Sequence, residues 1–551
     1  MRPNGVASPV IAIFPGVFFL AGLLSGCASA PFAGELEKPA FERDSREPGF
    51  AATDEFEPGK LPPEVVVMVA RQLVESETPL RAMIQILTSV RQGLLYPEEG
   101  IAAQEVIDWY TRQTAIRRAK FIAETLDPSW SPTQYNAFWF EQTQDMIRQE
   151  EFTDAQLALQ ALREPMDPDS MARRESLRGL VLLLQSRIPE AVEALERRQG
   201  FPGSHRINHF NFAVAMVRHT RRLEGLALLD ELSEMPADNP DDRVIGDRAN
   251  MALGWIWLKA GKGGTARATF KRVSLQGPYA NLALLGLGWS ELLPDGEQQK
   301  VKFNRRLSCR DIQNAPEDTS LLLFKSYQSC VGKSGASDFV YHRSFAYEPG
   351  GSVKRRHEKA LLWLGELAGR DASDPAVQEA LLAVGYLQSR LGKDAQAIQS
   401  YKTAVARYDA EIHRLAGLEK ALQTAAARPE EILEDSPGYP AQFAQLRSSH
   451  RYARVTAGLR AQRQAATEHR ATGDWIAQQL PSGRERQELV DYVRREWTLQ
   501  SAAIIQNESS LTTELTEQLS AEIRASSERL ARYRSEAVLA IARLLDRRSA
   551  E

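Results

Sequence analysis

Between Asn250 and Pro278 the chain sets residues of particular size at fixed places along two helix-length segments. Leu253, Gly254 and Trp257 lie on the first, Gly261 interrupts, Ala266 and Phe270 lie on the second, and Pro278 closes it. A small residue such as Gly254 or Ala266 lets two helices approach closely, Phe270 fills the gap between adjacent pairs, and a proline cannot continue a helix. The frame returns at Leu381, Gly385, Gly392, Ala397, Tyr401 and Ala404, with Asp409 where the closing proline would stand. Moving 34 residues on from Gly254 lands on Gly288, preceded by Leu287. Further back, Gly179 with Ala191 and Leu195 is followed 34 residues later by Ala213, with Gly225 and Leu229; Ala155, Leu159 and Leu162 form a weaker copy. A chain that repeats one supersecondary unit buries each unit against its neighbours, so its 551 residues need not divide into domains of about 150.

These positions resemble the tetratricopeptide repeat, a helix–turn–helix marked by Leu-Gly and an aromatic on the first helix, Gly in the turn, then Ala, an aromatic and a closing Pro. The resemblance covers roughly residues 130–295 and 355–410. It implies an all-α, TPR-like helix–turn–helix solenoid whose first helices line an extended face for a peptide or a partner's helix. Amphipathic helical texture begins after Pro63, and strand-like alternation is almost absent. Residues 63–295 are expected to form the array, 296–352 an irregular insertion, 353–410 a further repeat and 411–551 a long-helix region.

From Ala441 onward the chain has 17 Arg, no Lys and 14 acidic residues, and nothing from Arg486 to Arg548 strongly breaks a helix. Leu511, Leu515, Leu519, Ile523, Leu530, Tyr533, Ala537, Ile541 and Leu544 make one apolar stripe. A continuous helix there would reach about 95 Å. Its stripe needs a partner: the helix before Pro481, in a hairpin or bundle, or another chain. The arginines are balanced by neighbouring glutamates, as on a solvated face, although acidic partners, lipid headgroups or anionic wall polymer would also suit them.

The chain begins with Arg2 and an apolar stretch from Val6 to Leu24 that Pro9 and Pro15 interrupt, which fits a secretory signal over 1–26 better than a spanning helix. It ends in Leu24, Ser25, Gly26 and Cys27, resembling the lipobox of bacterial lipoproteins. That resemblance implies cleavage before Cys27 and acylation of its thiol, including palmitate-class chains, a durable anchor at about 0.8 kcal/mol per buried methylene. Ala28, rather than Asp, implies carriage to the outer membrane, facing the periplasm. Residues 27–62, rich in Pro, Gly and acidic side chains, form a tether spanning about 30–35 Å root-mean-square. In an exported chain the two remaining cysteines, Cys309 and Cys330, are expected to pair, stabilising the fold by about 3 kcal/mol. Buried free thiols or a metal site are the alternatives; no CxxC or nearby His cluster supplies further ligands.

Catalytic patterns fail. Gly332-Lys333-Ser334 ends like a phosphate-binding loop, but Tyr327 stands where its first glycine belongs and no strand leads into it. His205 and His209 share a helical spacing without the glutamate of a zinc-protease motif. No GxSxG, cysteine nucleophile or dinucleotide turn is present. Superhelical helix arrays also occur in some lytic transglycosylases, but nothing in the C-terminal 140 residues resembles their catalytic domain. A formal charge of −4 and a pI near 6.2 exclude general attraction to nucleic acid, and a mean hydropathy of −0.36 excludes a multi-spanning membrane protein. No enzymatic activity, cofactor or metal is expected. Trp255 and Trp257 cannot both face one side of their helix; burial of both is the expected packing, and the alternative, in which one packs between repeats and the other is open to a ligand or to the next repeat, makes them the candidate binding face. The chain is thus expected to be a lipid-anchored TPR-like scaffold that assembles envelope proteins, of undetermined oligomeric state. A periplasmic module capturing peptidoglycan fragments or exported peptides is the alternative, and a cell-wall hydrolase a more distant one.

Overall fold

Helix starts are written into the sequence as prolines at the first helical position, with capping side chains before them. Ser131 and Gln134 form a reciprocal capping box, Asn239 accepts from the Asp242 amide at 2.8 Å, and Asp374 accepts from the Ala376 amide at 2.8 Å. The computed structural model describes residues 61–76, 79–200, 206–219, 221–237, 239–293, 298–313, 326–330, 339–348, 352–424, 450–479 and 484–550, with 428, 429 and 446. Its helices are α1 (Pro63–Ser76), α2 (Pro79–Arg91), α3 (Pro97–Thr111), α4 (Ala115–Leu126), α5 (Pro132–Arg148), α6 (Phe152–Gln160), α7 (Pro168–Leu184), α8 (Ile188–Gln199), α9 (Arg206–Arg218), α10 (Arg222–Glu234), α11 (Pro240–Lys259), α12 (Gly263–Phe270), α13 (Ala280–Leu292), α14 (Val353–Ala368), α15 (Pro375–Arg390), α16 (Asp394–Gln423), α17 (His450–Gln479) and α18 (Arg484–Ala550). The fold is an all-α helical repeat array. The lipobox residues Leu24, Ser25, Gly26 and Cys27, with His205 and Gly332-Lys333-Ser334, lie outside the described residues.

The contacts divide the chain into two units. In the unit that ends at Leu177 and resumes with His450–Leu515, α1 to α4 share a core built on Val65, Val69, Met83, Ile86, Val106 and Ile122, against which Trp497 also packs. Helix α17 and the first part of α18 run as a hairpin. His469 stacks on Trp497, the Trp497 indole donates to His469 O at 3.1 Å, and Arg463 meets Glu508 at 3.0 Å. The pair α5 and α6 also belongs here.

The other unit, Arg178–Ser449 with Thr516–Glu551, holds the repeated pairs. Each second helix packs on its own first helix and, except for the last, on the first helix of the next pair. One spacing governs them. A Cβ added at Gly179 would lie 2.4 Å from Leu195, at Gly254 2.5 Å from Phe270 and at Gly385 2.7 Å from Tyr401. In each case the large residue follows the small one by sixteen positions, as Leu229 follows Ala213. Phe270 is held from two sides, since a Cβ at Gly286 of the following helix would also lie 2.5 Å from its ring. The turns repeat as well. Seven residues after Gly179, Gly254 and Gly385 stand Ser186, Gly261 and Gly392, with φ of 60°, 71° and 73°. The next amide reaches back to the carbonyl five residues earlier, as Lys262 does to Trp257 at 2.9 Å, which closes the first helix.

Gly288 obeys the rule across a gap. A Cβ there would lie 2.4 Å from Leu364, which is 76 positions on, sixteen plus an insertion of sixty. Helix α14 is therefore the second helix of the repeat that α13 begins, and the insertion occupies their turn rather than separating two repeats. The insertion also departs from the expectation of almost no strand. Strands β1 (Gln298–Ser308) and β2 (Phe339–Glu348) form an antiparallel ribbon running from Gln298 opposite Glu348 to Ser308 opposite Phe339, with an irregularity between Val301 and Phe303. The aromatic and β-branched content of Phe339–Tyr347 suits it to a strand. Cys309, directly after β1, is bonded to Cys330, and both sulfurs are buried. Beside them Tyr327 is buried against α10, and Gln328 donates to Asp230 at 3.0 Å. Burial and the Glu224 carboxylate push the Tyr327 phenol up to about 12.

The apolar stripe of α18 is met by two partners in turn. Up to Leu515 these are residues of α17, including Gly458 against Leu511. Beyond Thr516 it is the last repeat itself: Ala537 and Leu544 share a core with Ala397, Ile398 and Tyr401, and Tyr533 lies 6.1 Å from Tyr408. Arg534 with Asp409 and Arg547 with Asp394 show that α18 runs antiparallel to α16. The repeat series supplies the second half of the stripe with its partner, and no second chain is needed for it.

Because Phe270 is locked between two glycines, Phe270→Ala should cost about 3–5 kcal/mol in chemical denaturation. Ser186→Gly, which relieves a side chain held at positive φ, should gain about 0.5–1 kcal/mol. A neutral Phe270→Ala would contradict this packing.

Candidate functional site

Trp255 and Trp257 do not supply a binding face. They are 6% and 3% exposed, since the second half of α11 is buried all round, between the helices of its own pair and the first helices on either side. Trp255 meets Phe270 edge-on at 5.6 Å and Trp257 lies under the Lys262 ammonium. Burial of both, the packing the sequence favours, follows because the second half of α11 has no solvent side. His209, the described member of the histidine pair, is partly buried on α9, and burial pushes its pKa down. Among the described residues no group of three or more His, Cys, Asp or Glu side chains is arranged to hold a metal, and no helix is long and apolar enough to cross a membrane.

Partly accessible polar and aromatic groups gather instead where α13, α15 and α18 meet. The Trp289 indole on α13 donates to the Glu379 carboxylate on α15 at 2.7 Å. One helical turn towards the start of α15, Asp374 accepts from Asn281 at 2.6 Å, and Asn281 accepts from Arg370 at 2.8 Å. From α18, Arg529 reaches Gln378 at 3.4 Å and Ser526 at 3.0 Å, while burial first and then the Glu379 charge raise the Tyr533 phenol pKa. Behind this row, Glu291 is buried between Arg267, at 2.5 Å, and the Trp363 indole, at 3.4 Å. The elements are positioned by the packing rule: Gly286 and Gly288 bring α13 onto Phe270 and Leu364, and Gly385 brings α15 onto Tyr401.

Burial pushes Glu379 up to about 7, with the indole hydrogen bond only partly offsetting it. Asp374 and Glu522 are raised for the same reason, each partly countered by its hydrogen bonds and, for Glu522, by Arg529. The seam thus offers a tryptophan, a carboxyl group half-ionised near neutrality and an amide–carboxylate pair. That set can bind a hydrogen-bond donor or a cation, but it has no nucleophile with an activating base. Nothing in the sequence singled out Trp289 or Glu379. The available signal was their position on the first helices of two repeats that an insertion keeps 90 residues apart.

No protein-family profile matches the sequence, and no curated protein is significantly similar to it. Among solved structures, the apo form of the quorum sensor NprR from B. thuringiensis aligns over 61% of this chain and 99% of its own, at 11% identity and a TM-score of 0.19. A likeness at that score carries no weight for fold or function, and the repeat geometry stands on its own distances.

Glu379 is a carboxyl group whose folded-state pKa lies above its usual 4.5, so the folded chain holds its proton more tightly than the unfolded one. The stability this group contributes is complete below its ordinary pKa and is lost as pH rises through about 7. Glu379→Gln keeps an acceptor for Trp289 and removes the charge. It should raise stability at pH 8 by about 1–3 kcal/mol and leave it unchanged near pH 5. Destabilisation at pH 8 would show instead that the ionised carboxylate is the preferred form.

Proposed function

We propose that this chain is a non-catalytic, lipid-anchored scaffold that holds other envelope proteins through its helical repeats. The observation that carries this reading is the sixteen-residue packing rule that recurs from α7 to α16, once with sixty residues inserted in the turn, and is closed at its end by α18; repeat arrays of this kind commonly hold peptides or helices. The anchor rests on the Leu24-Ser25-Gly26-Cys27 lipobox after an apolar stretch, and the periplasmic face of the outer membrane on Ala28. The Cys309–Cys330 bond suits an oxidising compartment.

A second reading, a module that captures peptidoglycan fragments or exported peptides, is favoured by one feature, the Trp289–Glu379 pair with Asn281 and Asp374 beside it. Aromatic faces bordered by carboxyl and amide groups suit sugar amides and peptide ammonium groups alike.

In vivo crosslinking followed by affinity purification of the lipidated chain should recover a defined set of envelope proteins. Cys27→Ser should release the chain from membranes and diminish that set. Recovery of lipid-processing enzymes alone would sink the scaffold reading, and membrane retention of Cys27→Ser would sink the anchor.

A further inference from the structure

The ribbon in the insertion has two long edges of unlike character. A lone pair of strands is marginal in water and gains from further strands or a covering helix. Among the described residues neither β1 nor β2 has another strand partner, and the five-residue helix Cys309–Gln313, at the end of β1, is the one helix packed closely on them. β1 carries Lys300, Lys302, Arg305 and Arg306 and no acidic residue, and its register slips between Val301 and Phe303. Lysines and a bulge are what keep an edge from accepting a strand. β2 has neither. Phe339, Val340, Tyr341, Phe345 and Tyr347 favour extended backbone, and Arg343 is balanced by Glu348.

We propose that the outer edge of β2 pairs antiparallel with the same edge of a second copy of the chain, making an isologous dimer around a four-stranded sheet. Charge selects the edge. Two β1 edges would set four basic residues against four more, whereas two β2 strands come together nearly neutral. Alternation along the strand then limits the register. A two-fold axis perpendicular to the sheet keeps Phe339, Tyr341, Arg343, Phe345 and Tyr347 of both copies on one face, so odd-numbered positions stand opposite odd ones. Two such registers overlap over nine of the ten residues of β2. The one centred on Arg343 sets that residue opposite its own equivalent, which like charge disfavours. The one centred on Ser344 sets Arg343 opposite Phe345 of the second copy, Tyr341 opposite Tyr347 of the second copy and His342 opposite Ala346 of the second copy, each twice. It has no like-charge pair and is the register of the dimer. Strand pairing of this length buries less than about 1,200 Å², so the dimer belongs to the weak, concentration-dependent class.

Sedimentation velocity of the purified full-length chain, in density-matched detergent across a concentration series, should show a reversible monomer–dimer equilibrium. Ser344→Cys falls on the two-fold axis and, oxidised with glutathione disulfide, should join two copies covalently on a non-reducing denaturing gel. Lys302→Cys on β1 and the parent chain should not. His342→Glu and Ala346→Glu, each added to Ser344→Cys, stand opposite basic residues of their own ribbon, Arg305 and Lys300, and should leave the yield of joined chains unchanged. Both together set like charges opposite each other twice across the axis and should cut that yield about tenfold. An intact Cys309–Cys330 bond in every variant checks that the insertion keeps its fold. A parent chain that is monomeric at every concentration would overturn the proposal, as would a yield that the paired substitutions leave unchanged. Capture of a different protein by Ser344→Cys in cells, in place of a second copy, would assign the edge to a foreign strand and overturn it as well.

Discussion

A glycine on the first helix of a pair against a large side chain sixteen residues later is the contact on which the array depends. Gly254, Phe270 and Gly286 show why: three helices converge on one ring that no Cβ could share. Once backbones are that close, the crossing of the pair, the left-handed residue that ends the first helix seven positions later and the approach of the next pair are all constrained together. The rule tolerates different large residues, Leu195, Leu229, Phe270, Leu364 and Tyr401, because each fills the volume that its small partner vacates. It also tolerates sixty extra residues in a turn. Loop closure grows only slowly more costly with length, and the disulfide and the docking of Tyr327 on α10 shorten the effective loop.

The end of an array exposes a face that an interior repeat would bury, and α18 covers it with Ala537, Leu544 and Tyr533. The packing of α13 against α15 has an electrostatic consequence, because Glu379 is buried while gaining only the Trp289 indole as a donor. A group so placed is destabilising when ionised, which is the physical reason to look for function at that seam rather than in the apolar interior.

Much of this was legible in the chain. The copies at 250–278 and 381–404 announce themselves through Gly and aromatic residues because those residues make the close contacts. The stripe from Leu511 to Leu544 is legible for the same reason, but not its change of partner, since periodicity shows that a face is buried and not by what. Gly288 was visible as a first-helix position while its mate Leu364 was not, because the insertion breaks the spacing that identifies pairs. The burial of both Trp255 and Trp257 was legible as the favoured packing, but not that α11 has no solvent side there, because a single helix does not show how many neighbours surround it. The ribbon was obscured by the polar run Asn304-Arg305-Arg306 in β1, which reads as loop in isolation.

The central claim is that the insertion lies inside one repeat whose two helices keep the common register. Excising residues 296–355 with Asp295→Gly joins α13 to α14 at the spacing of the other pairs, with Leu364 sixteen positions after Gly288. Thermal and urea unfolding of that chain, followed by circular dichroism, measures the claim directly. The account predicts one cooperative transition and helix content undiminished apart from the first turn of α14. A non-cooperative melt, or loss of helix well beyond that turn, would contradict it.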